Sequence, residues 1–141
     1  MHDTLLTNES DTSLLLTRAG LLHELGRPEE VLKLLMPVLD ILDPATQGYR
    51  YCVHAMQSLK RHNDAVELAE RALARYPGEP ELLVMHASAL GFVGMYKKAL
   101  EQTEHALALD PENSNYHYFR AFNLHKLERN RNAQALSLIH I

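Results

Sequence analysis

Nine histidines and one cysteine are the side chains of this 141-residue chain that would suit a metal site or a nucleophile. A zinc site on a single helix needs two histidines four residues apart, because that spacing brings both imidazoles to one face. No two histidines here have that spacing. Cys52 has no histidine in a recognisable activating arrangement, and it falls at a core-facing position. We therefore predict no enzyme, with no catalytic residue, metal or cofactor in this chain.

Phosphate and nucleic-acid chemistry is also poorly supported. The stretch Gly91-Phe92-Val93-Gly94 opens no strand-helix junction and carries no Lys-Ser/Thr pair, so it does not resemble a phosphate loop. The net charge is -4, and the basic residues are scattered apart from Lys60-Arg61 and Lys97-Lys98. Since phosphate binding depends on clustered cations, we predict no nucleic-acid partner.

Composition is that of a soluble globular protein, with 46% hydrophobic and 23% charged residues. The first thirteen residues lack the basic and apolar runs of a signal peptide, and no run of eighteen apolar residues occurs. One cysteine excludes a disulfide framework and fits a reducing compartment. We predict a cytoplasmic protein without a membrane segment.

An internal period of 34 residues organises the chain and indicates which elements position its side chains. It relates Pro77 to Pro111, and it also relates a series of small residues: Ala65, Ala99 and Ala133; Ala72 and Ala106; Ala87 and Ala121. One period earlier, Val31 and Val38 stand in for Ala65 and Ala72. Apolar residues within each period have helical spacing on two segments, separated in the third period by Gly94. Each unit is therefore predicted to be a helix hairpin.

The recurring residue types have a packing reason. Where two antiparallel helices cross closely only a small side chain fits, and added methylenes in a filled contact cost about 1–3 kcal/mol. Pro77 and Pro111 follow the predicted second helices, which proline cannot continue because it lacks an N–H.

This pattern resembles the tetratricopeptide repeat (TPR), a 34-residue helix-turn-helix unit with small residues at positions 8, 20 and 27 and proline at 32. The resemblance implies an all-α, right-handed solenoid of antiparallel hairpins, with about seven full helices and a truncated eighth. We expect a disordered N-terminal lead at 1–11, a TPR domain at 12–135 and a non-native tail at 136–141. The repeats are 12–45, 46–79, 80–113 and a partial 114–135.

The first repeat departs from the family pattern. Pro44 comes one residue late, and Pro37 lies inside the predicted second helix, where it removes a backbone hydrogen bond and clashes with the preceding turn. We predict a kink at Met36-Pro37, with the extra residue absorbed in the last turn.

The resemblance implies that the first helix of each repeat lines a concave groove that binds a peptide or a partner helix. Transferred by repeat position, the candidate groove residues are Arg50, His54, Gln57, Ser88, Tyr118, Phe122, His125 and Lys126. Phe92, Tyr118, Phe119 and Phe122 suggest an aromatic patch for a hydrophobic partner. These rings have an alternative interpretation as core between repeats, or as residues that a following repeat would cover.

The last six residues, Leu136 to Ile141, read like a translated sequencing adaptor, a transposon mosaic end. We therefore expect an N-terminal fragment of a TPR protein that serves as a protein-interaction scaffold. An alternative is the substrate-presenting arm of a larger enzyme, of glycosyltransferase or sulfotransferase type. Self-association through the uncapped end at Ala121 to Ala135 is a third interpretation.

Overall fold

The computed structural model describes the backbone of residues 9–139 and the side chains of residues 11–136. That part of the chain forms seven α-helices: α1 (Glu9–Glu24), α2 (Pro28–Leu35), α3 (Thr46–Ser58), α4 (His62–Arg75), α5 (Pro80–Phe92), α6 (Tyr96–Leu109) and α7 (Ser114–Ile139). A 3-10 helix, Met36–Val38, follows α2. The chain divides into two compact units. The first, Met1–Pro77, contains α1 to α4, and the second, Gly78–Ile141, contains α5 to α7. The predicted all-α class of helix hairpins is confirmed.

One turn geometry recurs every 34 residues and separates the two helices of each hairpin. In it a backbone N–H donates to the carbonyl five residues earlier, at 2.8–2.9 Å, which is the closing bond of a Schellman motif. These N–H donors are Arg27, Arg61 and Met95. The motif needs a left-handed residue just before the donor, and Gly26, Lys60 and Gly94 have φ values of 69°, 62° and 83°. The sequence period thus extends to individual backbone hydrogen bonds.

Small side chains lie where paired helices cross, as the repeat pattern predicts. Six alanines at the predicted small positions of the complete hairpins are at most 1% exposed: Ala19, Ala65, Ala72, Ala87, Ala99 and Ala106. Val31 and Val53 take the same role with 1% exposure. Since these residues leave no room for longer side chains, they fix how closely each pair of helices approaches.

Pro37 interrupts the second helix of the first hairpin. The predicted kink takes the form of a change of helix type, since α2 ends at Leu35 and residues 36–38 continue as a 3-10 helix. The expectation that Val38 fills the small core position is wrong, because Val38 is half-buried and Leu39 is 1% exposed. Tightening of the backbone over the 3-10 turn moves the buried position one residue along the chain.

The irregular segment 39–45 is held in place by the end of α4. The Arg75 guanidinium donates from Nη1 to the carbonyl of Leu39 at 2.8 Å and from Nη2 to that of Leu42 at 2.6 Å. The backbone N–H of Ala45 donates to the Tyr76 hydroxyl at 3.1 Å. A loop whose carbonyls would otherwise lack helical partners is thereby satisfied by side chains.

The chain after Ser114 differs from the predicted partial hairpin. Residues 114–139 form one helix of 26 residues, so the truncated eighth helix does not exist as a separate element in the described chain. Glu128 occupies the place of Gly94 one period later but lies inside α7, and residues 128–136 are all exposed. A left-handed break would cost free energy that no buried second helix recovers here. For the same reason the predicted small core positions Ala121 and Ala133 are exposed.

The predicted ends of the domain also shift. Residues 9–11 belong to α1, so the predicted disordered lead is too long by these three residues, and residues 1–8 lie outside the described range. Residues 136–139 of the predicted tail continue α7, whereas residues 140 and 141 lie outside that range.

Candidate partner-binding surfaces

The second unit contains a cleft of about 430 Å³ between α5, α7 and the start of α6. The helices α5 and α7 are the first helices of adjacent repeats, and both pack against α6. Its principal lining side chains are Ser88 and Phe92 of α5, Tyr96 of α6, and Phe119, Phe122, Asn123 and Lys126 of α7. The four α7 residues are spaced i, i+3, i+4 and i+7, which places them on one face of the helix. That face forms one wall of the cleft.

Exposed aromatic rings give the cleft its character. Phe92 is 58% exposed and Phe122 is 44% exposed, although both are large apolar side chains. The Lys126 ammonium lies 5.5 Å from the centre of the Phe122 ring, within the range of a cation–π interaction. An apolar surface with one cation at its edge can therefore receive a partner side chain and, beside it, a negative charge.

A buried polar network supports the α7 wall from below. Asn123 is 2% exposed, and its Nδ2 donates to the Thr103 hydroxyl at 3.3 Å. Thr103 in turn donates to the carbonyl of Ala99 at 2.8 Å. Because a buried amide without partners costs free energy, this network fixes how α7 sits on α6. Asn123 was not among the predicted groove residues; its only signal in the sequence is a polar residue next to Phe122 on this face of α7.

The candidate residues predicted for the second unit fall into two groups. Ser88, Phe122 and Lys126 line the cleft together. Tyr118, which is 72% exposed, and His125 lie on α7 outside the lining. Phe119, named in the predicted aromatic patch, lines the cleft as well. Asn123 was not predicted, because the repeat scheme assigns groove positions by number and not by which side chains a particular cleft exposes.

In the first unit, Arg50, His54 and Gln57 are placed by α3. Arg50 and His54 are exposed, and Gln57 is half-buried. Arg50 donates from Nη1 to the Gln47 side-chain oxygen at 3.1 Å, one turn earlier on the helix. This surface is polar, in contrast to the cleft of the second unit.

The His54 ring contacts α1 through the imidazole of His23. The ring centres are 4.5 Å apart and meet edge to face at 84°, and the Tyr51 ring lies 5.6 Å from that of His23. Although the residue as a whole is exposed, its imidazole is partly buried. This partial burial, and secondarily the charge of His23, lower the pKa of His54 below its ordinary value. The neutral form of the His54 imidazole is therefore favoured where α1 packs on α3.

The chemistry that Cys52 and the histidines could support is limited by their placement. Cys52 is fully buried, as predicted, and burial raises the pKa of its thiol to about 12. Within the described residues, no three His, Cys, Asp or Glu side chains group in a way that would hold a metal ion.

Among the helices of residues 9–139, none combines the length and apolar character that a membrane crossing requires.

Comparison with solved structures places the chain in a class: its fold is that of a TPR domain. The first TPR domain of human RPAP3 has a TM-score of 0.78 at 16% identity, over 86% of this chain and 95% of that one. The TPR domain of Arabidopsis OM64 gives 0.71 at 13% identity, over 79% and 93%. MamA from Desulfovibrio magneticus RS-1 gives 0.70 at 20% identity, over 94% and 75%. Neither a family model nor a curated protein sequence matches the chain.

The predicted solenoid class is thus confirmed by structures whose sequences have diverged widely from this one. At these identities the likeness concerns the fold, and the role of individual side chains has to be argued from their own geometry.

Proposed function

We propose that this chain is a protein-interaction module that binds a segment of a partner protein in the aromatic cleft of its second unit. The observation that carries the proposal is the exposure of Phe92 on α5 and Phe122 on α7, two helices that line the same cleft. Aromatic side chains contribute large contact area at low entropic cost, and they are frequent among the residues that dominate binding energy.

Polar groups around the rings support a specific site. The Ser88 hydroxyl and the Lys126 ammonium line the same cleft and can orient a partner by hydrogen bonding. The buried Asn123–Thr103 hydrogen bond holds one wall rigidly. A preformed cleft loses little conformational entropy on binding, which favours affinity.

We also propose that Arg50, His54 and Gln57 form a separate, polar contact surface on α3 of the first unit. In the second unit, we propose that Tyr118 and His125 on α7 extend the contact made by the cleft. Arg50, His54, Tyr118 and His125 are exposed and Gln57 is half-buried. Arg50 and Gln57 occupy the same repeat positions as Tyr118 and His125, two repeats earlier in the chain. Exposed polar residues at an interface rim contribute less to affinity than buried aromatic anchors. Substitutions on α3 are therefore expected to weaken binding less than substitutions in the cleft.

The proposal can be tested with peptides selected from a random phage-displayed library on the immobilised full chain. Their affinities would then be measured by fluorescence polarisation for the unsubstituted protein and for Phe92→Ala and Phe122→Ala. Because truncation of an aromatic anchor commonly costs 2 kcal/mol or more, we expect affinity to fall at least about tenfold.

Leu109→Ala provides a matched control, since Leu109 is a 48% exposed apolar residue of the same unit outside the cleft lining. Its effect on affinity should stay below about twofold. Circular dichroism would check that all variants keep their helix content. Selected peptides that bind Phe92→Ala and Phe122→Ala as tightly as the unsubstituted protein would refute the cleft as the binding site.

A further inference from the structure

Charge is distributed unevenly along the chain. The whole sequence has a net charge of -4, yet α7 carries four basic side chains, Arg120, Lys126, Arg129 and Arg131, against the single carboxylate of Glu128. The helix that forms one wall of the cleft therefore has a net charge of +3. The net charge of α7 is thus opposite in sign to that of the whole chain, so the positive charge needs an explanation specific to this helix.

One of these cations lines the cleft and a second follows it on the same face of α7. Lys126 is the one charged residue of the cleft lining, which contains no carboxylate. Arg129 follows three residues later, so it projects from the same face of α7 about one helical turn beyond Lys126. Within residues 11–136, neither side chain has an ion-pair partner, whereas Arg120 lies 3.5 Å from the Glu104 carboxylate.

We infer that the partner segment bound by the cleft is acidic, with an apolar anchor between Phe92 and Phe122 and carboxylates facing Lys126 and Arg129. This inference rests on the proposed function and specifies its partner. Complementary charge steers a partner toward the site and disfavours partners of the same sign. A basic or neutral apolar segment would leave Lys126 and Arg129 without compensation beside the newly covered aromatic surface.

The geometry also specifies the spacing of the charges. Three helical residues rise about 4.5 Å, so Lys126 and Arg129 are spaced to meet two carboxylates separated by about that distance along the α7 axis. Arg131 is a useful reference because it lies on the same helix five residues after Lys126, which rotates it about 140° around the axis. It has the same charge as Arg129 but points to a different side.

The test uses the phage-display selection on the full chain and compares the charge of the selected peptides. Those whose binding depends on Phe122 should be enriched in Asp and Glu beside apolar residues. Lys126→Glu and Arg129→Glu should each weaken an acidic peptide by about fivefold, whereas Arg131→Glu should change its affinity by less than twofold. Raising the salt concentration should weaken the same peptide.

The outcomes separate the inference from the proposed function. Peptides that require Phe122 but are neutral or basic would overturn the acidic partner and leave the cleft as a binding site. An acidic peptide weakened equally by Arg129→Glu and Arg131→Glu would show only a general charge effect and would also overturn it. Peptides insensitive to Phe92→Ala and Phe122→Ala would refute the proposed function itself. A dimer detected by light scattering and broken by Phe122→Ala would identify a second copy as the occupant and overturn the acidic partner.

Discussion

The imidazole of His54 on α3 meets that of His23 on α1 edge to face, with the ring centres 4.5 Å apart. Two protonated imidazoles at this distance would repel, and burial already disfavours the charge of His54. The packing of α1 on α3 is therefore linked to proton binding. Since both residues come from equivalent helices of adjacent repeats, this linkage concerns the interface between repeats.

Acidification should destabilise the fold through His54. Its pKa is lowered in the folded state, so the unfolded chain binds the proton more readily. The corresponding stability is fully present above the ordinary pKa of 6.5 and is lost as pH falls from there through the folded-state pKa. Urea unfolding at a series of pH values between 7.5 and 5 should show a smaller loss for His54→Gln than for the unsubstituted chain.

His105→Gln is the control for this experiment, because it removes an exposed histidine of the second unit. It should leave the acid-dependent loss of stability unchanged. A loss that is the same in His54→Gln as in the unsubstituted protein would contradict the assignment to His54.

Lys60→Gly should stabilise the chain. Lys60 is a non-glycine residue with a φ of 62°, at the place where Gly26 and Gly94 end the other hairpins' first helices. An L-residue in the left-handed region pays about 1 kcal/mol that glycine does not. We expect the free energy of unfolding to rise by about 0.5–1 kcal/mol, measured by urea denaturation.

Lys60→Ala distinguishes backbone strain from the removal of a charge. Alanine also lacks the ammonium but keeps a Cβ, so it should give no stabilisation. Equal gains from Gly and Ala would assign the effect to charge and contradict the conformational explanation.

Arg75→Lys should destabilise the first unit by about 1–2 kcal/mol. The guanidinium satisfies the Leu39 and Leu42 carbonyls with two different nitrogens, at 2.8 and 2.6 Å, and an ammonium cannot reproduce this fork. Arg71→Lys is the matched control. Arg71 pairs with Asp40 at 3.1 Å, but both side chains are more than half exposed, so its loss should cost about 0.5 kcal/mol or less. A similar cost for both substitutions would contradict the anchoring role of Arg75.

How much the sequence could predict is shown by three residues that occupy equivalent positions. Gly94 predicts its own turn, because glycine adopts the left-handed conformation without strain. Lys60 makes the same turn although its residue type disfavours it, since Ala65, Leu68, Ala69 and Ala72 of α4 are buried once the chain folds back. Glu128 remains helical, because no comparable apolar face follows it in the described chain. Whether the chain turns, as at Lys60, or stays helical, as at Glu128, depends on how much apolar surface the following segment buries. The residues next to the turn do not contain that information.

The cleft shows the same limit. The repeat positions predicted Ser88, Phe122 and Lys126 as groove residues, and all three line the cleft. It did not identify Asn123, whose role depends on a hydrogen bond to Thr103 on another helix. A contact between elements is determined by how they pack, whereas position within a repeat reports only the face of a single helix.

Cys52 should react with thiol reagents only when the chain opens. Burial raises the pKa of its thiol from 9.0 to about 12, so the thiolate population at a given pH falls by about a thousandfold even before steric protection is considered. Ellman's reagent at pH 8 should label the unfolded protein in 6 M urea rapidly and the native protein at least about a hundredfold more slowly. Rapid labelling of the native chain would contradict its burial.

The same thiol predicts an alkaline limit to stability. Because the folded-state pKa is raised, the unfolded chain releases the proton first, and the stability that is fully present below pH 9 is lost as pH rises toward about 12. Tyrosine and lysine residues titrate over the same range, so the comparison needs a variant without the thiol. Cys52→Ala loses some stability at neutral pH through a small cavity, but it removes the thiol contribution above pH 9. The difference between the two proteins should therefore shrink as pH rises from 9 to 10.5, and a difference that stays constant would show that Cys52 does not ionise on unfolding.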